Sequence, residues 1–300
     1  MGPLADLDLP RLFLVGLTLS TLLAVGVVMS TSSTAFGVSN PSGERASSLR
    51  QQVSAVGSDP VVVTNTSDYT QVDPSSSVSV ILSPERPYAS GETADVRAFV
   101  RSGGTLVVAE DFGSHTNPLL ASLGVQTRVD GRPLRDERRY YRSPDIVVAT
   151  DVSEHTLTGG VTQITLNHGT ALRPNDSRVL VNSSPFAYLD TNRNSSLDGT
   201  ESIRTYPVVT VEAVGEGRVV VVSDPSMFIN AMLDRPGNER FVRSVFSGHE
   251  TVLLDYSHRG SLPPLTAAAI AVQQSDLLRA VVGFAGIGIV ALAHRRSRGD

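Results

Sequence analysis

The sequence contains no cysteine, and all 25 of its basic residues are arginine, so lysine is missing as well. Without cysteine there is no disulfide, no thiolate metal site and no cysteine nucleophile. Without lysine there is no Schiff-base amine, no lysine general base and no phosphate-binding lysine of the Walker type. Histidine is scarce, and His155, His168 and His249 lack the spacing of a zinc ligand set. Charge is sparse too, at 18% of residues with a formal net charge of −5, which argues against a nucleic-acid partner. What is present is apolar: 40% hydrophobic residues over 300 positions suffice for one large or two small globular units.

The longest apolar stretch is Leu12 to Met29 (LFLVGLTLSTLLAVGVVM), uncharged and long enough for a transmembrane helix. A cleaved signal peptide is the competing reading, with Ser33-Thr34-Ala35 as its small-residue site. The run exceeds a signal's ~7–15 apolar residues, and Asp6 and Asp8 precede it, which favours a retained anchor. Residues 277–293 form a second, weaker run in which Arg279 would snorkel to the interface; a buried or interfacial helix is the alternative. Arg295, Arg296 and Arg298 follow it, and a positive flank stays in the cytoplasm. The expected order is therefore a cytoplasmic stretch 1–11, a span at 12–29, a linker at 30–46, a body at 47–260, a linker at 261–276, a span at 277–293 and a basic tail at 294–300. The body is expected outside the cell membrane, with the membrane as a partner. Sequons at Asn65, Asn175, Asn182 and Asn194 agree with that placement.

Within the body, helix and strand signals alternate. Ser47 to Val56 reads as a helix, and Pro60 to Thr64 and Ser77 to Leu82 as β-branched strands. Ser90 is placed to cap a helix whose stripe is Val96, Phe99 and Val100, and Gly103-Gly104 ends it. Thr105 to Ala109 (TLVVA) is apolar throughout, as in a parallel strand buried on both faces. That βαβ rhythm predicts an α/β fold. It loosens over Asp145 to Thr150, Val161 to Leu166 and Arg178 to Asn182, which predict an antiparallel extension or a β-rich insertion. It returns with a hairpin, Pro207 to Val214 and Arg218 to Val222, then a helix from Asn238 to Phe246 and a last strand from Thr251 to Leu254.

Three motifs could carry chemistry. Residues 190–201 match a twelve-residue calcium loop, offering oxygens from Asp190, Asn192, Asn194, Asp198 and Glu201 and a main-chain carbonyl from Ser196. Ser195 stands where glycine usually turns the loop, and Arg193 opposes a cation, so a weak structural calcium site is expected; a polar loop without an ion is the alternative. The turn Ser223-Asp224-Pro225-Ser226 follows an apolar strand, where α/β sheets bind ligands, and Asp111, Asp255 and His258 follow other strands. From these a hydrolase set of Asp224, Ser226 and His258 can be drawn, although no G-x-S-x-G elbow is present. Arg135 to Arg142 (RDERRYYR) interleaves acids with its arginines and reads as a solvated face rather than a nucleic-acid patch.

Several of these motifs together resemble a known family. Gly103 to Ala109 with Asp111, then Asn117-Pro118-Leu119-Leu120 and Leu123-Gly124-Val125, then Gly217 to Ser226 with Phe228 and Asn230, look like the domain-of-unknown-function 4350 (DUF4350) family. The loop Asp255-Tyr256-Ser257-His258-Arg259-Gly260 resembles that family's acidic-Tyr-x-His-x-Gly stretch. The family is similar to class I glutamine amidotransferase-like domains and to the membrane-associated GldG-type proteins. The resemblance implies a flavodoxin-like three-layer sandwich set between membrane helices, with no settled activity. Amidotransferases use a cysteine that this chain lacks. A non-enzymatic, membrane-anchored extracytoplasmic binding or assembly domain is therefore expected, with other membrane or cell-surface assembly proteins as partners. A cell-surface hydrolase and a purely structural subunit whose crevice is filled by its own loops are the alternatives.

Overall fold

The computed structural model describes residues 47–259. In chain order the strands are β1 (Asp59–Val63), β2 (Ser77–Leu82), β3 (Thr105–Ala109), β4 (Arg128–Val129), β5 (Leu134–Asp136), β6 (Tyr140–Tyr141), β7 (Ser143–Ala149) and β8 (Asp151–Val152). They continue as β9 (Ile164–Thr165), β10 (Leu172–Arg173), β11 (Arg178–Asn182), β12 (Ala187–Leu189), β13 (Pro207–Val214), β14 (Gly217–Val222) and β15 (Thr251–Asp255). The helices are α1 (Ser47–Ala55), α2 (Ser90–Arg101), α3 (Thr116–Leu123), α4 (Asn230–Leu233) and α5 (Asn238–Phe246).

Eight strands form the central sheet in the order β1-β15-β2-β3-β14-β13-β11-β8. The first five run parallel, and β13, β11 and β8 continue the sheet antiparallel. Alternate residues of each strand leave opposite faces. Ile81, Leu106, Val108, Val219, Val221 and Leu253 pack on one face against Val96, Phe99 and Val100 of α2 and Leu119, Leu120 and Leu123 of α3. On the other face, Leu49 of α1 meets Val80, Leu82 and Leu254. Burying each such Val or Leu is worth roughly 1.5–3 kcal/mol, so both helix layers are held by the strands' continuous apolarity. Gly217 lets β14 start tight against the end of α2, where a Cβ would come 2.2 Å from both Gly104 O and Val100 O.

Two expectations are corrected here. Among the described residues no helix is long and apolar enough to cross a membrane, so a sandwich flanked by transmembrane helices gives way to a mixed α/β sandwich. The runs at 12–29 and 277–293 on which that expectation rested lie outside the described residues, as do the linkers at 30–46 and 261–276. The strand order is not flavodoxin-like either, because β15, the last strand in the chain, lies between β1 and β2 rather than at an edge. Nothing in the composition of Thr251 to Asp255 specifies its neighbours; all five parallel strands are short and apolar. At a smaller scale, α2 starts at Ser90 with Ala89 as the flanking residue, and Glu92 rather than Ser90 supplies the capping oxygen. The β-rich insertion consists of short pairs, β4 with β10, β5 with β12, and β7 with β6 and β9.

Candidate functional site

The carboxyl ends of β1, β15, β2, β3 and β14 lie along one edge of the sheet, and the acidic and histidine residues after those strands gather there in two groups. The first surrounds β15. Asp255 is buried and accepts hydrogen bonds from Tyr69 Oη and from the Ser257 amide, both at 2.7 Å. Burial raises its carboxyl above the usual carboxylate range, against the lowering pull of Ser257 and Tyr69. The same burial, with Asp255 beside it, pushes the Tyr69 phenol well up. His258, only 3% exposed, bonds Ser257 Oγ through Nδ1 at 2.8 Å and Glu92 Oε2 through Nε2 at 3.0 Å. Tyr88 stacks on the imidazole with ring centroids 3.5 Å apart. Glu92 Oε2 also accepts the Ala89 amide at 2.7 Å, so one oxygen caps α2 and holds His258. The Ala89 bond, then His258, hold the Glu92 carboxyl below its ordinary range. Arg86 donates to Ser257 O and the Glu85 amide to His258 O, tying the β2 loop over the β15 loop.

The second group lies between β3 and β14. Glu110 is 1% exposed and accepts from the Asp111 and Gly113 amides at 2.9 Å, Thr116 Oγ1 at 3.0 Å and Ser83 Oγ at 3.3 Å. Gly113 permits that approach, since a Cβ there would fall 2.2 Å from Glu110 Oε2. Asp111 is pushed up to about 6, chiefly by burial, with the Glu110 carboxyl adding to it. Asp224 is fully enclosed and accepts the Asn167 amide at 2.5 Å and the Ser226 amide at 2.7 Å. Burial outweighs those bonds and pushes it up to about 7, with Asp111 contributing.

Of the residues singled out for a hydrolase, Asp224 and Ser226 are neighbours joined through the Ser226 amide and side chain, and Ser226 Oγ lies 3.5 Å from Asn167 O. His258 belongs to the other group. β14 and β15 are separated by β3 and β2, three strand spacings or about 14 Å. The structure instead brings His258 to Ser257 and Glu92, a pairing that spans 166 residues. Glu92's place near the start of α2 was the only sequence signal for it, and that pointed to a cap.

The 190–201 loop coils around Asp190, whose carboxylate accepts the Asn194 and Ser195 amides at 3.1 and 2.9 Å. Arg193 and Ser195 have left-handed backbones, with φ of 58° and 65°, so Ser195 makes the turn usually made by glycine. Asn192 donates to Asp198 at 2.6 Å, Ser196 donates its amide to Asn194 Oδ1 at 2.8 Å, and Glu201 accepts the Thr191 amide at 2.7 Å. Among the described residues no three acidic or histidine side chains converge as a metal-binding group. The loop reaches the second group, with the Arg193 guanidinium 5.6 Å from the centre of the Phe112 ring.

The sequence pattern of a domain of unknown function, DUF4350, matches residues 38–246. The chain belongs to the DUF4350 family. The DUF4350 match covers the Gly103–Ala109 and Gly217–Ser226 motifs and stops before β15, so Asp255 and His258 lie beyond it. No match was found among curated protein sequences. The fold is similar to that of the mmIFT52 N-terminal domain, at 15% identity and a TM-score of 0.52 over 72% of this chain and 92% of that one. The cytoplasmic protein STM1381 from Salmonella typhimurium LT2 aligns at 15% identity and a TM-score of 0.36, over 65% of this chain and 76% of that one. A β-galactosidase from Rahnella sp. R3 aligns at 14% identity and a TM-score of 0.35, over 58% of this chain and 22% of that one.

Proposed function

We propose that this DUF4350 chain is a non-catalytic binding or assembly module at the outer face of a membrane, built on an amidotransferase-like layout without the nucleophile. The observation that carries the reading is the state of the sheet's carboxyl edge. Glu110, Asp224, Asp255 and His258 are each buried and bonded to the chain's own loops. The cavity beside Asp255, between Leu49, Leu82 and Tyr256, is about 10 Å³, room for at most one water. Ser257 and His258 do form a Ser–His–Glu chain with Glu92, but Ser257 is 7% exposed and Tyr88 covers a face of the imidazole. A nucleophile must meet its substrate, and this one faces inward.

The test is turnover by full-length protein on ester, glycoside and peptide substrates, alongside Ser226→Ala, Ser257→Ala and His258→Gln. No turnover above background in any of the four is expected; turnover that disappears with one of those substitutions supports the hydrolase reading instead. Placement is tested by adding protease to intact cells. The body is expected to be cut, and a body protected until lysis would place it inside.

A structural calcium ion in the 190–201 loop is proposed separately. The twelve-residue spacing of its oxygens and the turn at Ser195 support it.

A further inference from the structure

We infer that the exposed arginines of the 135–142 segment, with Arg235, form a docking surface for an acidic segment of a protein partner. The inference rests on the binding-module reading and names its partner class. In the sequence, Asp136 and Glu137 look like neutralising neighbours of these arginines. The structure takes Asp136 out of that role. Asp136 is fully buried and accepts the Arg138 and Arg139 amides at 2.9 and 2.7 Å and the Ser184 hydroxyl. Glu137 accepts Tyr188 Oη at 2.9 Å, and Arg135 Nε donates to that same oxygen at 3.2 Å. Asp136 is spent on the turn's own backbone, while Glu137 stays exposed and bonds Tyr188 rather than an arginine.

Arg138, Arg139 and Arg142 are left exposed. Among the described residues, arginine–carboxylate pairs form at Arg132, Arg173, Arg243 and Arg259, and none involves Arg138, Arg139, Arg142 or Arg235. Aromatic rings hold three of these guanidinium groups instead. Arg138 lies 4.5 Å over Phe186, while Arg142 and Arg235 lie 5.1 and 4.7 Å from the centre of Tyr141. A guanidinium stacked by its face keeps its in-plane N–H donors, and Arg235 Nε is buried with no partner. Tyr140 and Phe186 are exposed beside them, at 44% and 37%.

Arginine with tyrosine and phenylalanine is the composition of a protein interface core, and the planar fork of arginine matches a carboxylate bidentately. Pre-stacked side chains lose less freedom on docking than free ones. The chain's net charge of −5 repels a long polyanion, which favours a short acidic segment that meets only this patch.

The test uses full-length protein and three probes: a labelled peptide of repeating Glu-Glu-Phe-Glu, phosphatidylcholine vesicles with one third phosphatidylserine, and an oligo-dT strand. Arg138→Gln/Arg139→Gln/Arg142→Gln is compared with Arg101→Gln/Arg178→Gln/Arg240→Gln, which removes the same charge elsewhere; Phe186→Ala adds a variant that keeps every charge. Peptide affinity is expected to fall about tenfold in the first triple variant, to fall in Phe186→Ala, and to hold in the second triple variant. Equal peptide affinity in both triple variants overturns the inference, as does stronger binding to vesicles or oligo-dT. Those outcomes leave the non-catalytic reading standing. Turnover would remove that reading whatever the peptide does.

Discussion

Asp224 shows how one residue can be indispensable to a turn and still cost stability. Its carboxylate caps the short 3₁₀ turn at Pro225–Phe228 and anchors the Asn167 amide, yet burial pushes it up to about 7. A carboxyl raised in the folded state binds its proton more tightly there than in the unfolded chain. Stability therefore falls as pH rises from the ordinary carboxylate range toward 7. Asp111, pushed up to about 6, works in the same direction. Urea midpoints at pH 5 and pH 7.5 should show the native protein less stable at the higher pH, and Asp224→Asn should shrink that difference by about half. An unchanged difference would mean that Asp224 is not the group responsible. The Asp255–Tyr69–Ser79 set has the same character: three polar groups stay buried because each satisfies another.

At the level of elements, the strands of the central sheet were legible wherever a run was continuously apolar, as in Thr105–Ala109 and Arg218–Val222. Hydrophobicity and β-branching act over a few residues and need no partner to be read. The place of β15 between β1 and β2 was not legible, because register among short apolar parallel strands is decided by the layers above and below. Val161 to Leu166 shrank to the two residues of β9, because much of the insertion is held by side-chain bonds such as Asn238 to the backbone of Thr165 rather than by ladders. The candidate site was legible as a list of acids after strands but not as pairs, since Glu92 and His258 meet only once α2 packs beside β15. The 190–201 loop poses its own test. Asp190 is buried and holds two backbone amides, so its replacement destabilises the loop with or without an ion; Asp198, half-buried and holding one backbone amide, that of Thr200, is the cleaner probe. Calcium at tenfold excess over its dissociation constant should raise the melting temperature by roughly 3–5 °C, and Asp198→Ala should abolish the rise. An unmoved melting temperature in the native protein would retire the calcium proposal.

For the whole molecule, missing cysteine and lysine weigh differently once the fold is known. Missing cysteine removes the nucleophile of the amidotransferase chemistry that the resemblance implied, and the buried carboxyl edge supplies no open replacement. Missing lysine leaves arginine as the only fixed positive side chain, and beside residues 138–142 the fold buries one acidic neighbour of those arginines, Asp136. The central claim is that the carboxyl edge of the sheet is filled by the protein's own loops. It is tested most directly by diethyl pyrocarbonate labelling of the native full-length protein, read residue by residue by mass spectrometry. His168, with its side chain 62% exposed, should be modified readily. His258, 3% exposed and bonded through both ring nitrogens, should stay unmodified until the protein is denatured. Modification of His258 as fast as His168 would mean that the edge is open, and would contradict the account.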